Sequence, residues 1–154
     1  MEKYLYLGVL LFAISYPLAQ SFEHRIRYAT QWKYLFPGMG LTATFFIVWD
    51  VWFTQMGVWE FNPRYVFGQF FLELPFEEWL FFLIVPFSSV FIYEVLIYFF
   101  PKDYFLPYGK AFVWILVPFL LAMSILHLDK WYTSVNFLVG ALALGIHYVI
   151  FKDK

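Results

Sequence analysis

Two adjacent glutamates, Glu77 and Glu78, lie just after Pro75 in the run Phe70-Phe71-Leu72-Glu73-Leu74-Pro75-Phe76-Glu77-Glu78-Trp79-Leu80-Phe81-Phe82. The surrounding segment reads as a membrane-spanning helix, and ionisable groups at membrane depth are costly and usually functional. A carboxyl walled off from water by aromatics can stay protonated and act as a general acid on a greasy substrate. The helix dipole at this end favours the ionised form instead, so burial against Phe76, Trp79, Phe81 and partner helices has to win. Neighbouring residues on a helix point about 100° apart, so one glutamate is expected to be the acid and the other its orienter. A plainer reading stays open, in which Glu77 caps its own helix and Glu78 faces headgroups.

Asp50, in Trp49-Asp50-Val51-Trp52, is expected to end a preceding span on the same side and to add a third carboxylate. An interfacial anchor in an aromatic belt is its alternative role. Glu60, Asn62 and Glu73 flank or occupy the connecting loop, where Asn62-Pro63 most simply starts a turn. Around these acids Trp49, Trp52, Trp59, Phe61, Tyr65, Trp79, Phe81 and Phe82 are dense. Aromatic faces attract cations, by up to about 2 kcal/mol each when desolvated. An acid ringed by such faces suits a carbocation intermediate and suits hydrolysis or phosphoryl transfer poorly. Glu94 lies about 25 Å further along the same helix, and an ion pair with the Arg25/Arg27 loop is expected for it.

The elements that must hold these groups are apolar throughout. The chain has 154 residues, 63% hydrophobic, 27% aromatic and 14% charged. Soluble domains carry about 25% charged residues, so an integral membrane protein is expected. There is no cysteine, which excludes disulfides, thiolate metal sites and cysteine nucleophiles. His24, His127 and His147 are scattered rather than clustered, so no metal site is expected. No Gly-rich phosphate loop appears, and a net charge of −1 offers no face for nucleic acid.

A span needs roughly 20 apolar residues. Five segments qualify, at about 4–22, 34–53, 75–100, 109–127 and 132–151. An all-α polytopic transmembrane bundle of about five spans is therefore expected, with no strand alternation. Pro75 suits the first turn of the third helix, while Pro17, Pro86 and Pro118 lie inside spans and are expected to kink them. The start, without a small-residue cleavage site, reads as a retained span rather than a signal peptide. Lys3, Arg64 and Lys130 fall on one side, and Arg25, Arg27, Lys33, Lys102, Lys110, Lys152 and Lys154 on the other. That asymmetry puts the N-terminus outside and the C-terminus in the cytoplasm of the cell (inner) membrane.

Trp49-Asp50, Gly57-Val58-Trp59-x-Phe61-Asn62, Gly68 and Leu74-Pro75-x-Glu77-Glu78-x-Leu80-Phe81-Phe82 together resemble the repeat unit of the small integral-membrane lycopene cyclases, which occur as two-subunit and fused-repeat enzymes. The likeness covers about residues 1–100. It implies redox-neutral β-cyclisation of lycopene ends, an isomerisation giving γ-carotene and then β-carotene, with no cofactor. The expected catalytic groups are Glu77, Glu78 and Asp50; Trp49, Trp59, Phe61, Asn62, Trp79 and Phe81 are expected to hold substrate and cation. Residues 101–154 resemble the opening hairpin of a second repeat, with Leu128-Asp129-Lys130 as its turn. A second repeat-bearing subunit, a second copy, or a truncated chain would each account for the missing remainder. A non-catalytic carotenoid-binding or assembly subunit is the alternative reading; a proton-coupled transporter fits less well, since no inverted repeat around broken helices is visible.

Overall fold

The computed structural model describes residues 2–102 and 106–151; of the basic residues weighed above, Lys152 and Lys154 lie outside them. Among the described residues the chain is an all-α bundle with five α-helices. These are α1 Leu5–Gln20, α2 Trp32–Gln55, α3 Phe76–Phe99, α4 Leu106–Leu126 and α5 Trp131–Phe151. Four stretches, Tyr28–Gln55, Phe76–Phe99, Pro107–Leu126 and Trp131–Phe151, are long and apolar enough to cross a membrane. The chain is a membrane protein. α1 is shorter, at 16 residues. At 1.5 Å per residue it reaches about 24 Å, less than the roughly 30 Å of a hydrocarbon core.

The chain divides into two compact units, Met1–Pro101 and Lys102–Lys154. In the first, α3 is the central helix and packs against both α1 and α2. Buried residues recur on one face of α2 (Met39, Ala43, Asp50, Phe53) and on α3 (Glu77, Ile84, Phe87, Ser88, Phe91). These spacings of three, four and seven are those of a helix burying one stripe. Tyr6 meets Glu78, Ala13 meets Ser88 and Tyr16 meets Phe91, so α1 and α3 run parallel. At the far end of the unit, Tyr28 is fully buried and donates to the Phe87 carbonyl at 2.8 Å.

α2 ends in a Schellman motif. Gly57 has φ +66° and donates to Thr54 O at 3.0 Å, and Val58 donates to Phe53 O at 3.0 Å. A left-handed residue at this position favours glycine, and it turns the chain into the 58–69 loop. Two short strands, β1 Phe70–Phe71 and β2 Leu74–Pro75, then pair antiparallel. The sequence pattern had no alternation to announce them, since each is two residues long. Their connecting residues Leu72 and Glu73 both have positive φ, 50° and 66°, which makes a type I′ turn without its usual Asn or Gly. Pro75 closes the ladder in extended conformation and is the N-cap of α3 rather than its first helical residue.

The second unit is the antiparallel pair α4 and α5, joined by residues 127–130. Ser124 Oγ donates to Ser134 O at 2.9 Å, next to the turn. Beyond it, Val117, Leu121, Ala141, Gly145 and Val149 line an apolar groove of about 330 Å³.

Candidate active site

The hairpin and the α2 cap deliver three carboxyls to one end of the first unit. Glu77 and Glu78 occupy the first turn of α3, and Asp50 lies one turn before the end of α2. Glu77 is fully buried. It does not cap its own helix: its Oε1 accepts the backbone N–H of Phe67 at 2.6 Å, which pins the connecting loop. Glu78, at about 100° around the helix, points elsewhere. Its Oε2 accepts the phenolic O–H of Tyr6, from α1, at 2.6 Å.

Asp50 is buried and lies close enough to Glu78 for the two carboxyls to interact electrostatically. All three carboxyls act electrostatically on Tyr6. The Asp50 Oδ2 and Glu77 Oε2 atoms are buried and find no hydrogen-bond partner among the described residues. The Trp59 indole N–H donates to Thr54 Oγ1 at 3.0 Å, and its ring is a hydrogen-bond neighbour of Asp50. An acid cluster with few internal donors is suited to exchanging a proton with something else.

One turn from each acid the surface becomes apolar. Phe46 is four residues before Asp50, and Phe82 four residues after Glu78. Both line a groove of about 230 Å³ between α2 and α3, with Thr42, Ala43, Phe81, Val85 and Pro86. The groove therefore follows the same helical stripes as the carboxyls. An aromatic cluster continues from Phe46 along α2: Phe53, fully buried, has its ring centroid 5.5 Å from Trp49, 5.4 Å from Trp52 and 5.3 Å from Trp59.

Other residues singled out in the sequence are placed differently. Phe81 is in the groove, and Trp49 packs on Phe46 at 5.9 Å. Trp79 turns toward the hairpin, 5.2 Å from the Phe71 ring, and donates to its carbonyl at 3.3 Å. Phe61 is half-buried in the loop. Asn62 is exposed, and its Oδ1 accepts from Arg64 N at 3.0 Å, an Asx turn. Glu60 and Glu73 are exposed. The expected Glu94 ion pair is corrected: Glu94 accepts from Gln31 Nε2 at 2.9 Å, while Arg25 pairs with Glu23. The loop turns back before the helical turn at Tyr28–Gln31, so Gln31 reaches Glu94 first.

Two residues of the site were missed. Tyr6 looks in sequence like one more aromatic in a greasy helix, and Phe53 like one more in a belt. Only the parallel packing of α1 on α3 singles out Tyr6. No group of three His, Cys, Asp or Glu able to hold a metal occurs among the described residues.

No curated protein and no solved structure matches the chain. A model of the lycopene cyclase family matches residues 3–96. That match takes in Tyr6, Asp50, Glu77, Glu78 and both walls of the groove, and it covers more than half of the 154 residues. The chain belongs to the lycopene cyclase family, with a role in the cyclisation of lycopene.

Proposed function

We propose that the protein is a lycopene β-cyclase, or one portion of such an enzyme, which works by acid-initiated, redox-neutral cyclisation. The observation that carries this reading is the apolar groove between α2 and α3, whose Phe46 and Phe82 lie one helical turn from Asp50 and Glu78. A linear polyene end lying on Phe46, Phe81 and Phe82 brings its terminal double bond to the carboxyls.

In this scheme the Glu78 carboxylic acid gives its proton to the terminal alkene and leaves a tertiary cation. The next trisubstituted double bond attacks that cation, which forms the ring bond and moves the positive charge onto the ring. The aromatic cluster around Phe53, with Trp49 and Trp59, faces this charge. Asp50 then takes the adjacent ring proton, which leaves the ring double bond. One proton enters and one leaves, so the product is an isomer of the substrate and no electrons are exchanged. Glu77 holds the loop in place and stays out of the proton traffic, as its contact with Phe67 supports.

The carboxyl end of the first unit is also the end that carries the N-terminus, where Glu2 pairs with Arg64. We place it on the outer side of the cell membrane, as the distribution of basic residues supports. Asn136 and His147 are exposed on the apolar α5. Polar groups facing lipid are costly, which supports a partner helix from a second copy or a repeat-bearing subunit. Light scattering in mild detergent should then give a mass above that of the 18.6 kDa chain; a strictly monomeric, fully active chain removes the partner.

The deciding experiment is expression in a lycopene-accumulating host. Conversion of red lycopene to orange-yellow monocyclic and dicyclic β-ring products supports the reading. Lycopene bound but unchanged, with a candidate partner also supplied, would instead leave a carotenoid-binding subunit.

A further inference from the structure

Tyr6 has no role in the scheme above, yet it makes the shortest described contact to the acid. Its phenol lies 2.6 Å from Glu78 Oε2 and in the electrostatic reach of Asp50 and Glu77. Its backbone is fixed as well, since Tyr6 N–H donates to the Tyr65 carbonyl at 3.3 Å. Leu10, one turn on, is buried at 2% exposure and keeps that face of α1 against the bundle.

A carboxylic acid has one proton and two oxygens. Which oxygen carries the proton decides whether it can reach a double bond. The Tyr6 O–H is the donor in its contact with Oε2, and an oxygen that accepts such a bond is best left as the carbonyl of the acid. We propose that Tyr6 is a positioning residue for the cyclisation: by donating to Oε2 it makes that atom the carbonyl oxygen of Glu78 and leaves the transferable proton on Oε1.

The same contact gains strength during the reaction. As Glu78 gives up its proton, Oε2 turns from a neutral carbonyl into a carboxylate oxygen, and hydrogen bonds to ionised acceptors are shorter and stronger. The phenol therefore stabilises the developing carboxylate more than the resting acid. An interaction stronger in the transition state than in the ground state raises kcat and leaves substrate binding alone. Tyr6 also lies outside the groove lining, so its hydroxyl has no share in holding the polyene.

This inference rests on Glu78 being the acid, and infrared spectroscopy of the full chain in lipid vesicles tests the two separately. The Glu78→Gln variant should delete one protonated-carboxyl C=O band; if no band disappears, the acid assignment itself falls. Tyr6→Phe should move that same band to higher frequency, because a hydrogen bond to its oxygen is lost. Glu78→Asp, one methylene too short to reach the phenol, should move it in the same direction and serves if Tyr6→Phe does not fold. In membranes carrying the active protein, Tyr6→Phe should lower kcat about ten-fold, on the order of one charge-assisted hydrogen bond, with KM within about two-fold. An unmoved band in Tyr6→Phe overturns the proposal, and so does a rise in KM that accounts for the whole loss.

Discussion

Glu77 Oε1 and the Phe67 amide meet at 2.6 Å across ten residues of chain, while the neighbouring Glu78 is turned to Tyr6. Adjacent and chemically identical, the two glutamates have different partners, one a backbone amide and the other a phenol. Glu78→Gln is therefore expected to lower cyclisation by about 10²–10⁴-fold, the usual contribution of a general acid, with normal accumulation. Glu77→Met, which has no oxygen for the Phe67 amide, should do the reverse. It should lose stability, by about 1–3 kcal/mol for a disturbed buried hydrogen bond, with a smaller effect on rate per folded molecule. Thermal unfolding in detergent beside β-carotene yield checks both, and equal rate losses at equal stability would merge the two roles.

The groove offers a test remote from the acids. Thr42 lines it from an exposed position on α2, with its hydroxyl bonded to Gly38 O at 3.0 Å. Thr42→Trp should fill part of the about 230 Å³ and leave the buried face of α2 intact. KM for lycopene should rise by roughly ten-fold or more, the scale of a lost apolar subsite, at unchanged melting temperature. Wild-type KM in a well-folded variant would move the substrate elsewhere.

The tryptophans separate by position. Trp59 borders Phe53 and Asp50, whereas Trp79 leans on Phe71 of the hairpin. Leucine keeps apolar bulk but has no π face for a cation. Trp59→Leu should thus lower kcat several-fold more than it lowers stability, and Trp79→Leu should show mainly a stability loss. Parallel assays of rate and melting temperature decide it. A Trp59→Leu variant that folds and cyclises at full rate would end the cation role of this ring.

Much of this was legible beforehand. The apolar runs are long enough to announce helices without any partner, and charged residues inside them stand out, so Asp50, Glu77 and Glu78 could be picked by type and place. What sequence left open is set by packing. Glu77 and Glu78 differ only by a rotation about α3, and that rotation has meaning only against α1 and the loop. Asn62 was drawn toward the site by its motif, but its local Asx turn claims its side chain first. Tyr6 carried no signal because tyrosines are common in this chain, at 12 of 154 residues.

The hairpin before α3 is built against local preference. Leu72 and Glu73 hold φ of 50° and 66°, each at a cost of about 1–2 kcal/mol for a residue with a Cβ. Both are exposed, so replacing them removes little packing. Leu72→Asn with Glu73→Gly, the preferred type I′ pair, is expected to raise stability by about 1 kcal/mol or more. Thermal unfolding reads this out, and a lower melting temperature would show that the Leu72 or Glu73 side chain is needed.

Pro17 lacks an N–H, so the Ala13 carbonyl one turn earlier loses its ordinary helical donor. Ser88 Oγ of α3 reaches that oxygen at 3.2 Å. A gap in one helix has thereby become a dowel between two. Hydrogen bonds between helices in a bilayer are worth about 1 kcal/mol, and this one favours a single register of α1 on α3. A slip of one residue along α1 would carry the Tyr6 hydroxyl about 1.5 Å from its mark, enough to break a 2.6 Å contact. The contact between Tyr6 and Glu78 is thus gauged from a peg about two turns further along α1.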